Sequence, residues 1–240
     1  MTNPYQAPGA IPPPWTPQRD KASMDGALNG EYDFDIQEVL REAWEKSDGA
    51  KGAFWGAFVA LFIAAIVGSM VQKALLGNSP SSQLFGGVLL LPLTGPLFMG
   101  IARMGIRRGA DLPVAAGDVF HFLNPYNVNL VITQVLVYLA TVAGFVLLVL
   151  PGFYLATSYL FAAMLVADKG LQPWEAMEIS RKSVGHQWWK VFGFLFTMAL
   201  LGIAACIPLF IGLIWVLPTQ VIAMGVLYRK IFGATPEAIL

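Results

Sequence analysis

The chain has 240 residues, 56% of them hydrophobic and 12% charged, with a formal net charge of zero. Soluble domains carry about 25% charged residues, so this composition excludes an ordinary water-soluble globule, and without a basic excess nothing draws it to nucleic acid. The single cysteine, Cys206, excludes an intrachain disulfide and a cysteine metal site.

Residues 1–32 open the chain as a proline-rich segment with Pro4, Pro8, Pro12, Pro13, Pro14 and Pro17. Prolines at this density leave little to bury and no regular donor pattern, so a disordered tail with polyproline II character is expected on the cytoplasmic side. It reads as a spacer, or as a docking strand for a protein partner. No cleavable signal peptide is expected, because the first apolar run starts only near Ala53.

From Asp33 to Asp48, Ile36, Val39, Leu40, Ala43 and Trp44 recur at helical spacing, with Glu38, Arg41, Glu42, Glu45 and Lys46 between them. This predicts an amphipathic helix along the membrane surface, N-capped by Asp33 or Asp35. Residues 33–233 are then expected to form a membrane domain, followed by a short C-terminal tail, 234–240. Apolar runs at 53–71, 84–102, 128–150 and 151–167, with two more within 188–228, give six spans, since about 20 residues cross a bilayer. The last turn is expected between Pro208 and Pro218. With both termini inside, 14 of the 15 Lys and Arg residues face the cytoplasm and only Lys73 lies outside.

Three Leu-Pro steps, Leu91-Pro92, Leu150-Pro151 and Leu217-Pro218, predict a threefold internal repeat. Each unit would be a surface helix, a span, a Leu-Pro step and a second span closed by Gly109, Gly170 or Gly233. The second surface helix would begin near Pro113 and turn Ala115, Val119, Phe122 and Leu123 to one face. The third would begin at Pro173 and bury Ala176, Ile179 and Val184. The expected fold is an all-α polytopic membrane helical bundle of six transmembrane and three interfacial helices.

No residue set suggests catalysis. His121 and His186 stand far apart in the sequence without ligand spacing, and read as interfacial polar residues. No span interior carries a charge. Arg103, Asp168, Lys190 and Arg229 fall at span ends, where long side chains reach headgroups. No catalytic, metal-ligating or cofactor-binding residue is therefore expected. The candidate positions are those where helices are expected to break: Pro92, Thr94, Gly95, Pro96, Pro151, Gly152, Pro208, Gly212, Pro218 and Gln220. Broken helices mark substrate sites in some transporters, and are also tolerated as simple kinks. Nearby polar residues are few, among them Thr133 and Gln134.

The segment "VADKGLQPWEAMEISRKSVGHQWWKVFG" with "VLPTQVIAMGVLYRKIFG" and the N-terminal "FDIQEVLREAWE" resembles a group of uncharacterised bacterial six-span inner-membrane proteins. That group is similar to the membrane domain attached to some glycerophosphodiester phosphodiesterases. The resemblance covers about residues 33–233. It implies a six-span fold in a bacterial inner membrane and no activity, and the phosphodiesterase domain itself is missing. The expected function is a non-enzymatic membrane protein supporting envelope assembly or a membrane complex. The alternatives are a small-molecule permease using the broken helices, or a lipid-modifying enzyme working through His121 or His186. The lipid bilayer is the expected partner.

Overall fold

The computed structural model describes residues 22–124 and 127–233. Among these there is no strand, and ten α-helices form the fold: α1 (Met24–Asn29), α2 (Ile36–Ser47), α3 (Lys51–Leu76), α4 (Pro80–Gly109), α5 (Val128–Leu147), α6 (Val149–Ser158), α7 (Ala162–Lys169), α8 (Pro173–His186), α9 (Trp188–Cys206) and α10 (Leu213–Phe232). Among the described residues, four stretches are long and apolar enough to cross a membrane: α3, α5, α6 with α7, and α9. The other two expected spans lie in α4 and α10. Helix α4 is 30 residues long, carries Pro92, Thr94, Gly95 and Pro96 midway and has Arg103, Arg107 and Arg108 towards its end. Helix α10 ends in Arg229 and Lys230 and is enclosed by α2 and α4, with Ile222, Ala223 and the run from Gly225 to Tyr228 buried.

The tail expected over 1–32 does not include its last eleven residues, 22–32. Residues 1–21 and 234–240 lie outside the described residues, but 22–32 are folded onto the bundle. Ser23 caps α1 by accepting from the Gly26 N–H at 3.0 Å, and Gly30 ends it in a left-handed conformation. Ala27 and Tyr32 are buried, and the Tyr32 hydroxyl donates to the Ser183 carbonyl at 2.7 Å. Burying such a side chain stabilises by about 1.5–3 kcal/mol, enough to hold a six-residue helix too short to form alone.

Asp35 caps α2, accepting from the Glu38 N–H at 2.9 Å. The apolar stripe of α2 is only partly as expected. Val39 and Ala43 are buried against α10, whereas Trp44 is exposed, and Glu42 and Lys46 turn inward to meet charges of neighbouring helices. Helix α8 starts with Pro173 in its first turn and buries Ala176 and Val184 with Ile179 partly covered, on the bundle. The second expected surface helix is a 3₁₀ turn, Ala116–Phe120, in which Asp118 accepts from the Ala115 N–H. Val119 and Phe122 are buried there but Ala115 and Leu123 are exposed, so they do not share one face.

The long helices pack as hairpins. Between α4 and α10 the approach is set by glycine: a Cβ on Gly225 would overlap the Gly105 backbone, and one on Gly105 would overlap the Val221 carbonyl. Small residues permit such backbone contact and the dispersion attraction that comes with it. The core lies at the end of the bundle where these helices carry their charges. Tyr228, Phe161 and Phe232 cluster there in tilted and edge-on contacts with ring centroids 5.3–5.9 Å apart, beside fully buried Phe54, Phe194 and Met104. Around it runs a lattice of ion pairs. Glu42 meets Arg229 at 2.7 Å and Lys46 at 3.2 Å, Lys230 meets Glu38 at 3.0 Å, and Lys46 meets Asp111 at 2.9 Å.

Candidate functional site: a lateral cleft

The prolines do not break α4. The helix continues through Pro92 and Pro96, so the expected discontinuity is absent there. Pro218 lies inside α10 as well. A helical proline leaves the carbonyl four residues earlier without its donor. For Pro218 that carbonyl belongs to Ile214, and the Trp55 indole of α3 donates to it at 3.2 Å. Between α5 and α6 the chain breaks at Leu148, which is extended, and Pro151 and Gly152 are already helical. Gly152 is therefore not held by a positive φ; it is needed because a Cβ would overlap the Phe145 ring. The last turn is 207–212, at the start of the expected Pro208–Pro218 interval, with Pro208 inside it and Gly212 capping α10. Leu209 and Phe210 take positive φ values there, of 52° and 66°. Gln220 ties α10 to α9 by donating to the Met198 carbonyl at 2.7 Å.

The ten candidate positions thus do not converge. Only Thr94 and Gly95 reach an open lateral cleft of about 630 Å³ between α3, α4, α5 and the α6–α7 segment. Helix α4 supplies Leu91, Thr94, Gly95, Phe98 and Met99, which share one face at helical spacing. Helix α5 supplies Gln134, Val137, Tyr138 and Thr141 by the same rule, and Leu61, Ala65, Leu160 and Ala163 close the walls. Pro92 and Pro96 face another groove, of about 370 Å³, with Phe122 and Val131.

The cleft wall is mostly hydrocarbon with few polar groups. Gln134 donates to the Gly95 carbonyl at 3.1 Å, and a Cβ at residue 95 would occupy the place of its side-chain oxygen. That oxygen is buried and has no partner among the described residues. Thr94 returns its hydroxyl to the Leu90 carbonyl at 2.9 Å, which quiets it as a free donor. The polar stripe Gln134, Tyr138, Thr141 was legible as i, i+4, i+7 spacing, but only the fold shows that it faces α4.

Next to the cleft lies a cavity of about 10 Å³ lined by Met99, Arg103, Phe122, Met164 and Asp168. Neither Arg103 nor Asp168 reaches outward as expected from their places at span ends. They are 5% and 8% exposed. Asp168 accepts from the Tyr228 hydroxyl at 2.6 Å and pairs with Lys169 at 3.2 Å. Arg229 is drawn to Glu42, and Lys190 to Asp33. His186 contacts the Leu28 carbonyl at 2.9 Å, while His121 packs edge-on to Phe122. Burial, followed by the Arg103 charge, holds the His121 imidazole below its usual pKa. No group of three or more metal-ligating side chains occurs among the described residues.

Comparison with known proteins finds no matching family model, no matching curated protein and no matching solved structure.

Proposed function

We propose that the chain is a non-enzymatic protein of a bacterial inner membrane that holds a lipid acyl chain in the lateral cleft, in support of envelope assembly or a membrane complex. The cleft carries the reading. Ligand sites are concave, largely apolar and about 300–1,000 Å³, with a few placed polar groups, and about 630 Å³ walled by Leu61, Phe98, Val137 and Leu160 matches that description. The six-span topology with cytoplasmic termini belongs to the same proposal. The charge asymmetry supports it, as does the length of α4, whose 30 residues extend about 45 Å. The threefold repeat draws support from the three hairpins α3–α4, α5–α6–α7 and α9–α10. Its middle unit departs most, because a 3₁₀ turn stands where a surface helix was expected.

A permease is the second reading, favoured by the polar atoms of Gln134, Tyr138 and Thr141 on the cleft wall. A lipid-modifying enzyme has less support, because His186 is engaged by a backbone carbonyl and His121 sits in a cationic field.

The test is photolabelling in proteoliposomes of phosphatidylcholine that carries a diazirine in one acyl chain. Adducts should concentrate on Phe98, Val137 and Leu160, and Ala163→Trp, which fills the cleft, should remove them. Labelling spread evenly over these residues and the outward-facing Val59 and Phe62 would refute a lipid site.

A further inference from the structure

The three hairpins do not reach equally far from the charged end of the bundle. Helix α3 has Lys51 as its first residue and Lys73 near its last, and the 21 residues between them are uncharged. At 1.5 Å per residue that interval covers about 32 Å, the thickness of a hydrocarbon core. The α9–α10 hairpin stops well short of this. Its turn, 207–212, is fixed beside the beginning of α3, because the Trp55 indole donates to the Ile214 carbonyl at 3.2 Å, two residues past the turn. From Trp55, α3 continues for 21 more residues to Leu76, about 32 Å. The α3–α4 turn therefore lies deeper than the α9–α10 turn by most of a bilayer's hydrocarbon.

The shallower turn nevertheless has little to offer water. Residues 191–228 hold no charged side chain. No side chain caps α10, and Ile207, Leu209, Phe210 and Ile211 are 55–84% uncovered. The backbone is closed on itself instead. The N–H groups of Ile207, Leu209, Phe210, Ile211, Leu213 and Ile214 each donate to a backbone carbonyl within four residues, at 2.9–3.2 Å. Pro208 has no N–H to place. The α3–α4 turn works differently: the Ser79 hydroxyl accepts from the Ser82 N–H, and the Ser82 hydroxyl donates to the Gly77 carbonyl at 3.0 Å.

Closure of the 207–212 turn holds Leu209 and Phe210 at positive φ, which bulky residues avoid. In water that strain would gain nothing, since a free N–H is hydrated. In hydrocarbon an unbonded amide costs several times as much as one left-handed residue. The strained, fully bonded turn is then the state of lower free energy.

We propose that α9–α10 is a re-entrant hairpin whose turn lies among lipid acyl chains, in the leaflet through which it enters. This refines the six-span reading: six helices enter the bilayer and both termini stay on one side, but the third pair turns back within it. The proposal rests on the chain residing in a membrane. It is independent of what the cleft holds, since among the described residues none of α9 or α10 lines it.

Nitroxide labels test it, read by collision with oxygen, which concentrates in hydrocarbon, and with a nickel chelate, which stays in water. In a Cys206→Ser background, the full chain carries one label at a time in Leu209→Cys, Ile211→Cys, Ile63→Cys or Asn78→Cys. The liposomes are of phosphatidylethanolamine and phosphatidylglycerol, with the chelate on both sides. Labels at positions 209 and 211 should respond to oxygen and lose the nickel response, as should the label at position 63 on the outward face of α3. The label at position 78 should respond to nickel. A nickel response at 209 and 211 equal to that at 78 would put the turn in water and overturn the proposal. Loss of both responses there would put the turn against protein, a second copy of the chain included, and overturn lipid as its partner. A nickel response at position 63 would remove the membrane reading itself. Ile211 is not left-handed, so Ile211→Cys alone decides if Leu209→Cys fails to assemble. Depth is read from the double variant Asn78→Cys, Ile211→Cys, whose labels should stand about 30 Å apart, the run of α3 beyond Trp55. A separation of about 10 Å, that of neighbouring helices at one level, would show a hairpin that crosses completely and overturn re-entry.

Discussion

At one end of the bundle, α2, α4, α7, α8 and α10 enclose each other's apolar side chains, and Tyr228, Leu227, Ile231 and Phe161 are fully buried. At the other, the α5–α6 and α9–α10 turns expose Val146, Leu148, Leu150, Ile207 and Leu209, each 69–84% uncovered. The residue types are similar, so hydrophobicity alone does not separate the two ends. What separates them is the packing partner: the chain supplies it at the charged end, and at the apolar end the proposed bilayer must. The α3–α4 turn adds a contrast within the second end. It carries Asn78 and Ser79 just after Lys73 in the last turn of α3, with Ser79 accepting from the Ser82 N–H at 3.1 Å, and so is chemically suited to water.

If the charged end is self-packed, its tightest crossing should be the least tolerant site. Gly225→Leu forces a side chain into the Gly105 backbone, which cannot rotate away. Overpacking typically costs about 1–3 kcal/mol, and against rigid backbone the upper end is expected, so the variant should melt well below wild type in detergent or fail to fold. A wild-type melting curve would show that α4 and α10 are not in contact.

A smaller effect is expected at Tyr32, which joins the N-terminal segment to α8. Burial pushes its pKa from 10.0 up to about 12. A raised folded-state value means that the stabilisation is complete below pH 10 and is lost as pH climbs from 10 towards 12. Protease protection of residues 22–32 should weaken across that window. In Tyr32→Phe, which gives up a hydrogen bond worth about 1 kcal/mol, this part of the pH dependence should vanish. An unchanged pH profile in Tyr32→Phe would detach the effect from this residue.

The smallest energetic change is expected at the apolar turns. In a Cys206→Ser background, Leu148→Cys should leave detergent stability within about 0.5 kcal/mol of its parent, as exposed positions do. The same background allows the turns to be compared directly. Asn78→Cys should react with a membrane-impermeant maleimide in sealed vesicles of suitable orientation, and Leu148→Cys should react slowly, because its turn offers no polar group to hold it in water. Equal labelling would erase the proposed difference in depth.

Much of this architecture is written in local order. The helix over 36–47, Asp35 as its cap, Pro173 at a first helical turn and four of the long apolar runs all depend on neighbours within a few residues, and the structure shows them. Glycine roles were less legible. Gly49 takes a φ of 78°, whereas Gly152, placed at an expected helix break, is helical and serves a close packing contact. The prolines of α4 and α10 looked like breaks, but neighbours can take over an orphaned carbonyl, as Trp55 does for Ile214 across 159 residues of sequence.

Composition and local spacing by themselves determined that the chain is helical, rich in apolar segments and charged chiefly at particular helix ends. Only the tertiary structure decided that residues 22–32 dock on the bundle, that Gln134 meets Gly95, and that Arg103 is enclosed while Asp168 is engaged by Tyr228. Periodicity and capping are set within a turn or two of helix. Burial, pairing and the walls of a cleft depend on which distant helix lies opposite, and that is fixed by packing across the whole bundle.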